Sequence, residues 1–314
     1  MVGAGAWGTA LAAAAAQAGR KVVLWAREQA VVAALNTTHE NARYLPGVVL
    51  PEGIAATHAI EDAAACEAVL VVVPAQHLRE WLPRLPARTK PLVLCAKGIE
   101  RGTGKLLTEV LSEAAPDCAP AILSGPSFAR DVARGLPTAV TIAASQMEIA
   151  LRLQATLGHA TFRPYASDDL AGVALGGAAK NVYAIACGIV DGMGLGESAR
   201  AALIARSFAE LTRLGAAIGA RPDTLMGLSG LGDLVLTATS PTSRNFSYGR
   251  ALGQGREASH ALAEGVATAP ALVKRAHAEK VELPVAEAVA AVLGGSLPLG
   301  EAVLRLMTRP LKPE

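Results

Sequence analysis

Gly3-Ala4-Gly5-Ala6-Trp7-Gly8 is the stretch that decides the fold, because it matches the pattern G-x-G-x-x-G and opens directly into the alanine-rich stretch Thr9–Ala18. In such a loop the first glycine permits a tight turn and the second lets the backbone approach a pyrophosphate. The third allows a helix to pack closely on a strand. The pattern alone is weak in a chain rich in alanine and glycine. Here a helix and then a candidate strand, Val22–Trp25, follow within one βαβ unit, so the context predicts a dinucleotide site.

Only Met1 and Val2 precede this glycine loop, whereas the motif normally follows a full strand of about five residues. That strand is central in the fold, and its loss leaves hydrogen bonds of both neighbouring strands unmade. We therefore expect either that further residues precede Met1 or that the first strand is a stub with a cost in stability.

Arg27 lies just beyond Val22–Trp25, where such domains recognise the 2′ position of the cofactor ribose. An Asp or Glu there binds the 2′-hydroxyl and selects NAD, whereas an arginine can pair with a 2′-phosphate. The cofactor is therefore expected to be NADP or NAD, with NADP favoured by Arg27. The adjacent Glu28 leaves that choice open.

Short β-branched runs alternate with alanine-rich stretches through the first half of the chain. The predicted strands are Val22–Trp25, Val69–Val73, Leu92–Leu94, Ala121–Leu123, Thr138–Ile142 and Ala160–Arg163. The predicted helices are Thr9–Ala18, Glu28–Asn36, Gln76–Leu85, Thr103–Ala114 and Gln146–Leu157. Continuous apolar strands between helices indicate a parallel sheet covered on both faces. The first half is therefore predicted to be an α/β domain, a Rossmann-type doubly wound parallel sheet.

Helical periodicity replaces the β-branched runs after about Asp168. Leu203, Phe208 and Leu211 share one helix face, a further helix is predicted over Thr268–Lys280, and Pro284 suits a first turn. We predict a dinucleotide-binding domain over residues 1–168 and an all-helical substrate-binding and catalytic domain over residues 169–314.

Composition excludes several classes of protein. Of 314 residues, 52% are apolar and 18% charged, so the chain can bury a large core and is not intrinsically disordered. Lys and Arg total 29 against 27 Asp and Glu, with no basic run, which argues against a nucleic-acid partner. Four dispersed cysteines and six unclustered histidines predict neither a disulfide framework nor a metal site. No basic segment precedes the glycine loop, so no signal peptide is predicted and a cytoplasmic location is expected.

The mean hydropathy of +0.35 raises the question of a membrane helix, and the most apolar stretch runs from Leu170 to Val190. Lys180 stands at its centre, where a lysine costs about 2.5–3.5 kcal/mol on insertion scales. We expect a buried helix and no membrane insertion.

Lys180 is itself a candidate catalytic group. Burial among Ala, Gly and Val disfavours the charged form of a lysine, and a partner that holds it lets it act as an acid or base. A lysine that reaches solvent from a helix end is the commoner case. Here the apolar run extends on both sides of Lys180, which favours a function.

Lys97 and the segment Gly125-Pro126-Ser127 each follow a predicted strand at its carboxyl end, the edge where open α/β sheets bind ligands. Turn residues are common at such places without any function. Several of them at one edge nevertheless predict a cleft.

Two polar segments stand out in the second half. Asp233 lies in Gly230-Leu231-Gly232-Asp233-Leu234, where a helix cap is the simplest explanation. Thr242-Ser243-Arg244-Asn245 combines hydroxyl, guanidinium and amide donors, which suits a phosphate, since an arginine forks onto two oxygens. A surface loop would look the same. Opposite a dinucleotide domain, the segment suggests a phosphorylated substrate.

Together these segments resemble the bacterial-type NAD(P)-dependent glycerol-3-phosphate dehydrogenases, in the family's order and through nearly the whole chain. The segments that carry the resemblance are Gly3–Ala10, Ala96-Lys97-Gly98, Ser124–Ala129, Lys180-Asn181, Gly230–Leu234, Ser243-Arg244-Asn245 and Glu264-Gly265-Val266. The resemblance implies reversible reduction of dihydroxyacetone phosphate to sn-glycerol 3-phosphate, which supplies phospholipid synthesis.

The resemblance also implies roles for individual residues. Lys180, Lys97 and Asp233 would form the catalytic group, with Lys180 as the acid–base residue. The substrate would also contact Gly125, Ser127, Ser243, Arg244 and Asn245. The cofactor would contact Gly3, Gly5, Ala6, Trp7, Gly8, Arg27, Lys97, Ala129, Arg244 and Glu264.

Two other functions stay open at this point. A β-hydroxyacid dehydrogenase on a similar two-domain plan would need a carboxylate site, which Arg244 could also provide. A protein that senses the NADP pool without turnover would need neither a buried lysine nor a phosphate cluster. Homodimers are common among small metabolic enzymes, and a homodimer is expected here.

Overall fold

The computed structural model describes residues 1–86, 90–257 and 263–310. The chain divides into two compact units. Unit 1 comprises Met1–Lys97 and Leu107–Ala174, and unit 2 comprises Gly98–Leu106 and Leu175–Glu314.

Unit 1 is an α/β domain. Its strands are β1 (Val22–Trp25), β2 (Ile54–Thr57), β3 (Val69–Val71), β4 (Pro91–Leu94), β5 (Ala119–Ser124), β6 (Thr138–Ala144) and β7 (Phe162–Ser167). Its helices are α1 (Ala6–Gln17), α2 (Gln29–Thr37), α3 (Ile60–Ala64), α4 (Leu78–Trp81), α5 (Leu107–Ala114), α6 (Ala129–Ala133) and α7 (Met147–Leu157). Short 3₁₀ turns at Ala75–His77 and Leu82–Arg84 flank α4. Every residue of β3 and β4 is buried, as the continuous apolar runs predict for strands covered on both faces.

The strand before the glycine loop is a single residue, Val2, which bridges in parallel to Trp25 on one side and Val71 on the other. Its amide nitrogen donates to the Leu70 carbonyl at 2.8 Å, and its carbonyl accepts from Val72 at 2.8 Å. Val2 thus joins the β1–β2 pair to the sheet of order β3-β4-β5-β6-β7.

The predicted α/β architecture is confirmed, with two differences in the sheet. Strand β2 was not predicted, because Ile54-Ala55-Ala56-Thr57 is only four residues long and half alanine, a residue depleted in strands. Strands β5 and β6 pair antiparallel, so the expectation of a wholly parallel sheet is wrong at that pair. The link between them contains only the five-residue helix α6. Five helical residues advance about 7.5 Å, whereas the six residues of β5 span about 20 Å, so α6 does not carry the chain back along the strand as a crossover helix does.

The second half is helical, as predicted. Its helices are α8 (Leu170–Gly192), α9 (Glu197–Ala217), α10 (Pro222–Met226), α11 (Asp233–Thr239), α12 (Arg244–Gly253), α13 (Glu264–Ala278), α14 (Pro284–Leu293) and α15 (Leu299–Met307). Helix α8 is long and apolar enough to cross a membrane, but 94% of its most apolar window is buried inside the protein. It is a core helix, as the central lysine predicted.

A buried carboxylate on α9 caps the start of α14. Glu210 is 3% exposed, and its carboxylate accepts from the backbone nitrogens of Val285 at 2.7 Å and Ala286 at 3.3 Å. Burial raises the pKa of Glu210 to about 7, although Val285, Ala286, Arg213 and the Tyr183 hydroxyl all favour its charged form. The pKa of Tyr183 lies well above its usual range, mainly because the hydroxyl is buried and secondly because the charge of Glu210 is close to it.

This carboxylate makes the stability of the fold depend on pH. The pKa of Glu210 is raised from 4.5 to about 7, so between these values the folded protein binds more protons than the unfolded chain. The free energy of unfolding should therefore fall as pH rises through this window, by about 3 kcal/mol at most. In urea unfolding at pH 5 and pH 7, Glu210→Gln should remove this part of the pH dependence. Glu197→Gln, at an exposed position of α9, should retain it. Equal slopes in wild type and Glu210→Gln would contradict the assignment.

Candidate active site

The glycine loop of unit 1 has the geometry that the motif requires. Gly3 has a φ of 114°, and a Cβ there would lie 2.7 Å from the Val72 carbonyl oxygen. A Cβ on Gly8 would lie 1.8 Å from the Gly3 oxygen, so this glycine permits close packing of α1 on the loop. A Cβ on Gly5 would meet nothing within 4 Å. The first and third glycines are therefore required by the fold, and the second leaves open space.

That open space lies at the amino end of α1. Helix α1 begins at Ala6, its N-cap Gly5 provides no side-chain hydrogen bond, and no acidic residue occupies its first turn. Backbone N–H groups and the positive end of the helix dipole suit a diphosphate. Trp7 adds a buried indole nitrogen that has no hydrogen-bond partner in the described part of the chain. The loop therefore fits a dinucleotide cofactor.

Asn41 holds this loop in place and was not predicted from the sequence. Its Nδ2 donates to the Ala4 carbonyl at 2.9 Å and lies 2.7 Å from the Thr9 hydroxyl. Asn41 and Thr9 are 2% and 0% exposed, so both bonds form inside the protein. The sequence does not predict this contact, because Asn41 and Ala4 are 37 residues apart and Asn41 belongs to no motif.

Arg27 is exposed beyond the carboxyl end of β1. The neighbouring Glu28, which left the cofactor choice open, is engaged elsewhere: Arg43 lies 2.6 Å from its carboxylate, and the Tyr44 hydroxyl donates to it at 2.9 Å. The acidic residue next to Arg27 is thus held by a second arginine and a tyrosine.

Three predicted substrate residues meet at the carboxyl ends of β4 and β5. Lys97 Nζ donates to the Gly125 carbonyl at 3.0 Å, and the Ser127 hydroxyl donates to the same oxygen at 3.0 Å. Gly125 has a φ of 148°, and a Cβ there would lie 2.8 Å from Val140 Cα. Ala129 follows as the first residue of α6 and packs, with Ala6 and Trp7, against the core of unit 1.

Lys180 of unit 2 lies in a buried polar cluster. Its Nζ is 2.6 Å from Asp233 Oδ1 and 2.8 Å from the Thr237 hydroxyl, and Thr237 lies 3.3 Å from the same carboxylate oxygen. The side chains of Lys180 and Asp233 are 9% and 1% exposed. Asp233 is therefore the partner that a buried lysine needs, and not only a cap. Thr237, one turn beyond Asp233 on α11, was not predicted.

Close approach of α8 to the turn before α11 creates this cluster. A Cβ on Gly176 would lie 2.6 Å from the Ser229 carbonyl oxygen, within the π-helical turn Leu228–Gly232. Such π turns are rare and often occur at functional sites. Any larger residue at position 176 would push that turn, and with it Asp233, away from α8.

The side-chain amide of Asn245 links three helices, because Asn245 lies on α12 and bonds α8 and α13. Its partner on α8 is Asn181, the residue that follows Lys180. Asn245 Nδ2 donates to the Asn181 side-chain oxygen at 2.9 Å, and its Oδ1 accepts from the Gly265 backbone nitrogen at 2.9 Å. Ser243 caps α12 by accepting from Phe246 N at 3.2 Å, which leaves Arg244 exposed at the first position of that helix. Glu264 is the half-buried first residue of α13.

Comparison with known proteins identifies the family. A family model described as the NAD-dependent glycerol-3-phosphate dehydrogenase N-terminus matches residues 1–150, and the corresponding C-terminus model matches residues 169–304. The chain belongs to this family.

Individual relatives agree over the full length. The chain is 56% identical to a glycerol-3-phosphate dehydrogenase (NAD(P)+) of Parvibaculum lavamentivorans and 58% identical to one of Azorhizobium caulinodans, covering 100% of this chain and 97% of each relative. The solved structure of glycerol-3-phosphate dehydrogenase from Coxiella burnetii is 38% identical. It has a TM-score of 0.92 and covers 98% of both chains. These likenesses confirm the resemblance drawn from the seven sequence segments.

The structure thus groups the predicted residues within each unit. In unit 1 the glycine loop opens the first helix, α1, and Arg27 follows the carboxyl end of β1. Lys97 follows β4, and its partners Gly125 and Ser127 follow β5. In unit 2 Lys180 contacts Asp233, and Asn245 contacts the neighbour of Lys180, Asn181.

Proposed function

We propose that the protein is an NAD(P)-dependent dehydrogenase that interconverts dihydroxyacetone phosphate and sn-glycerol 3-phosphate. The observation that carries this proposal is the buried Lys180–Asp233–Thr237 cluster, in a chain that shares 56–58% identity with enzymes named for this reaction. The product is a precursor of phospholipids, and we propose a cytoplasmic enzyme that supplies it.

Lys180 provides the acid–base chemistry. When the ketone is reduced its oxygen gains negative charge, and a cationic proton donor at that oxygen both stabilises the charge and delivers the proton. In the reverse direction the neutral amine of Lys180 removes the proton from the hydroxyl. Asp233 and Thr237 fix Nζ in one position and balance its charge, so that little reorganisation accompanies the proton transfer.

The nicotinamide cofactor, when bound, supplies or accepts the hydride. We propose that residues 1–168, which carry the glycine loop, Trp7, Arg27 and Ala129, form the dinucleotide-binding domain. We propose that residues 169–314 form the catalytic domain. Helix α8 begins at Leu170, directly after this boundary.

The substrate phosphate is assigned to the start of α12. The exposed Arg244 guanidinium can fork onto two phosphate oxygens, and the N–H groups of the first turn of the helix favour an anion. Asn245 and Ser243 shape this turn. We further assign Lys97, Gly125 and Ser127 to substrate contact and Glu264 to cofactor contact. Binding the remote phosphate restricts the ketone to a reactive position.

The reaction is tested by following the loss of NADPH absorbance with and without dihydroxyacetone phosphate. Oxidation that depends on this substrate supports the proposal. A panel of 3-oxoacids tests the alternative, a β-hydroxyacid dehydrogenase, which the names of the close relatives do not favour. Turnover of the oxoacids alone would replace the proposal, and cofactor binding without any turnover would favour a sensor of the NADP pool.

Arg27 is predicted to set the preference for NADP. A guanidinium–phosphate bond contributes about 1.5–3 kcal/mol, so Arg27→Ala should raise the KM for NADPH at least about tenfold. The KM for NADH, which has no 2′-phosphate, should change less than about twofold by the same argument. Arg163→Ala, at an exposed position of β7, is the matched control and should change neither constant. Equal increases for both cofactors would assign Arg27 to the adenine or to structure.

We also propose a homodimer, because two-fold pairs are the commonest assembly of soluble enzymes. Leu304 and Met307 are 60% and 79% exposed and lie three residues apart on α15, so they share one helix face that a partner subunit can cover. Light scattering should give twice the 32.0 kDa of one chain. A mass of one chain at micromolar concentration would exclude a stable dimer.

A further inference from the structure

Unit 2 contains a large apolar cavity that the proposed reaction does not use. It has a volume of about 920 Å³ and lies among α8, α9, α14 and α15. Ile189, Leu203, Val289 and Val303 are among the residues that line it, one from each helix. Pockets for small molecules typically span roughly 300–1,000 Å³. The cavity is therefore of the size of a ligand site.

The two ends of the cavity differ in polarity. Ala199 and Arg213 both line the cavity from α9 and lie 14 residues apart, which is about 21 Å along a helix that rises 1.5 Å per residue. Leu195 and Ala199, just before and at the start of α9, therefore line one end of the cavity, which is apolar, and Arg213 lies toward the other end.

Charged residues line the opposite end. Arg213 donates to the Glu282 carbonyl at 3.4 Å, and Arg309 lies 3.6 Å from the Glu282 carboxylate. Lys280 also lines this end. An apolar slot that leads to a charged mouth fits a molecule that is itself apolar along its length and charged at one terminus.

The charge of the lining selects the sign of that terminus. Among the residues that the structure describes, the lining includes four basic side chains and two carboxylates: Arg206, Arg213, Lys280 and Arg309 against Glu210 and Glu282. The Glu210 carboxylate is already engaged by two backbone nitrogens of α14. A positive excess beside two guanidiniums favours an anionic head group, most strongly a carboxylate or phosphate that can be bound in a fork.

We propose that this cavity binds one single-chain amphipath, a long-chain fatty acid anion, with its carboxylate at Arg213 and Arg309 and its alkyl chain directed toward Leu195. The affinity comes from the methylenes, since burying each one contributes a constant increment of free energy. The head group sets the orientation and excludes cationic amphipaths.

Calorimetric titration of the full chain with straight-chain carboxylates of 8, 10 and 12 carbons, below their micellar concentrations, tests the proposal. We expect saturation at one molecule per chain, with affinity rising about fourfold for each added methylene. The alcohol of equal length should bind at least about tenfold more weakly, since it forgoes a charge-assisted bond. An alkyl trimethylammonium of equal length should not bind in the cavity. A phosphate-headed chain that outcompetes the carboxylate would transfer the site to lysolipid-like molecules and overturn the fatty acid assignment.

Variants at two adjacent alanines of α9 distinguish binding in the cavity from unspecific adsorption. Ala202 lines the cavity and is exposed, whereas its exposed neighbour Ala201 does not line it. Ala202→Trp should fill the slot and abolish the saturable binding, and Ala201→Trp should leave it unchanged. Likewise Arg309→Ala should weaken carboxylate binding about tenfold, whereas Arg305→Ala, at a residue that does not line the cavity, should leave it unchanged.

Three further results would overturn the proposal. Affinity that does not depend on chain length would mean that the slot is not used. Binding that survives Ala202→Trp would place the amphipath elsewhere. A wild-type dimer that binds no carboxylate and that Ala202→Trp converts to a monomer would show that a second copy of the chain covers the cavity.

Discussion

Replacement of Lys180 by alanine should lower kcat by about a thousandfold or more, while the affinity for NADPH stays within about twofold of wild type. The variant loses both the proton donor and the positive charge at the ketone oxygen, which are separate contributions to the barrier. The glycine loop lies in unit 1 and does not include Lys180, so cofactor binding should survive. Steady-state rates of NADPH oxidation and calorimetric titration with NADPH measure the two effects separately.

This variant needs a control for folding, because it leaves the Asp233 carboxylate buried at 1% exposure without its cation. Breaking a buried pair on one side costs about 3–5 kcal/mol. The double variant Lys180→Ala with Asp233→Asn removes the orphaned charge, so it should regain most of the stability and none of the activity. Lys21→Ala, at an exposed position before β1, should leave both unchanged. Normal turnover in the folded double variant would remove Lys180 from the mechanism.

The sequence predicted Lys180 and the glycine loop because each breaks a local rule. A lysine in the middle of an apolar helix, and glycines at fixed offsets before a helix, have a cost that the rest of the chain must offset, so they signal function. The cluster around Lys180 was predicted only in part. Asp233 was found through resemblance, whereas Thr237 looks like an ordinary helix residue and acquires its role only when α11 packs on α8.

Long-range contacts explain most of what the sequence did not predict. Asn41 reaches across 37 residues to the Ala4 carbonyl, and no periodicity records such a pairing. Strand β2 is half alanine, so its strand character comes from pairing in register with β1, Val22 opposite Ile54, and not from propensity. The antiparallel pairing of β6 with β5 has no counterpart in the residue pattern, because an apolar run predicts a strand but not its direction.

Replacement of Gly5 by valine should abolish dinucleotide binding without disturbing the fold, the second large effect we expect. The backbone at Gly5 has φ −71° and ψ −178°, which valine adopts readily, and its Cβ would meet no protein atom within 4 Å. The branched side chain would instead fill the space at the amino end of α1 that the diphosphate requires. Losing two charge-assisted hydrogen bonds between the diphosphate and the loop, each worth about 1.5–3 kcal/mol, should raise the Kd for NADPH at least about a hundredfold.

Gly8 and Gly300 are the matched controls that separate binding from folding. Gly8→Ala places a Cβ 1.8 Å from the Gly3 oxygen, so this variant should lose stability by several kcal/mol and unfold at lower temperature. Gly300, on α15, has open space like that at Gly5, and Gly300→Val should change neither stability nor cofactor affinity. The expected pattern is thus three distinct outcomes from three glycines. A Gly5→Val variant that binds NADPH normally would show that the diphosphate does not approach the loop at Gly5. A Gly5→Val variant that unfolds would show that this residue serves the fold, like Gly8.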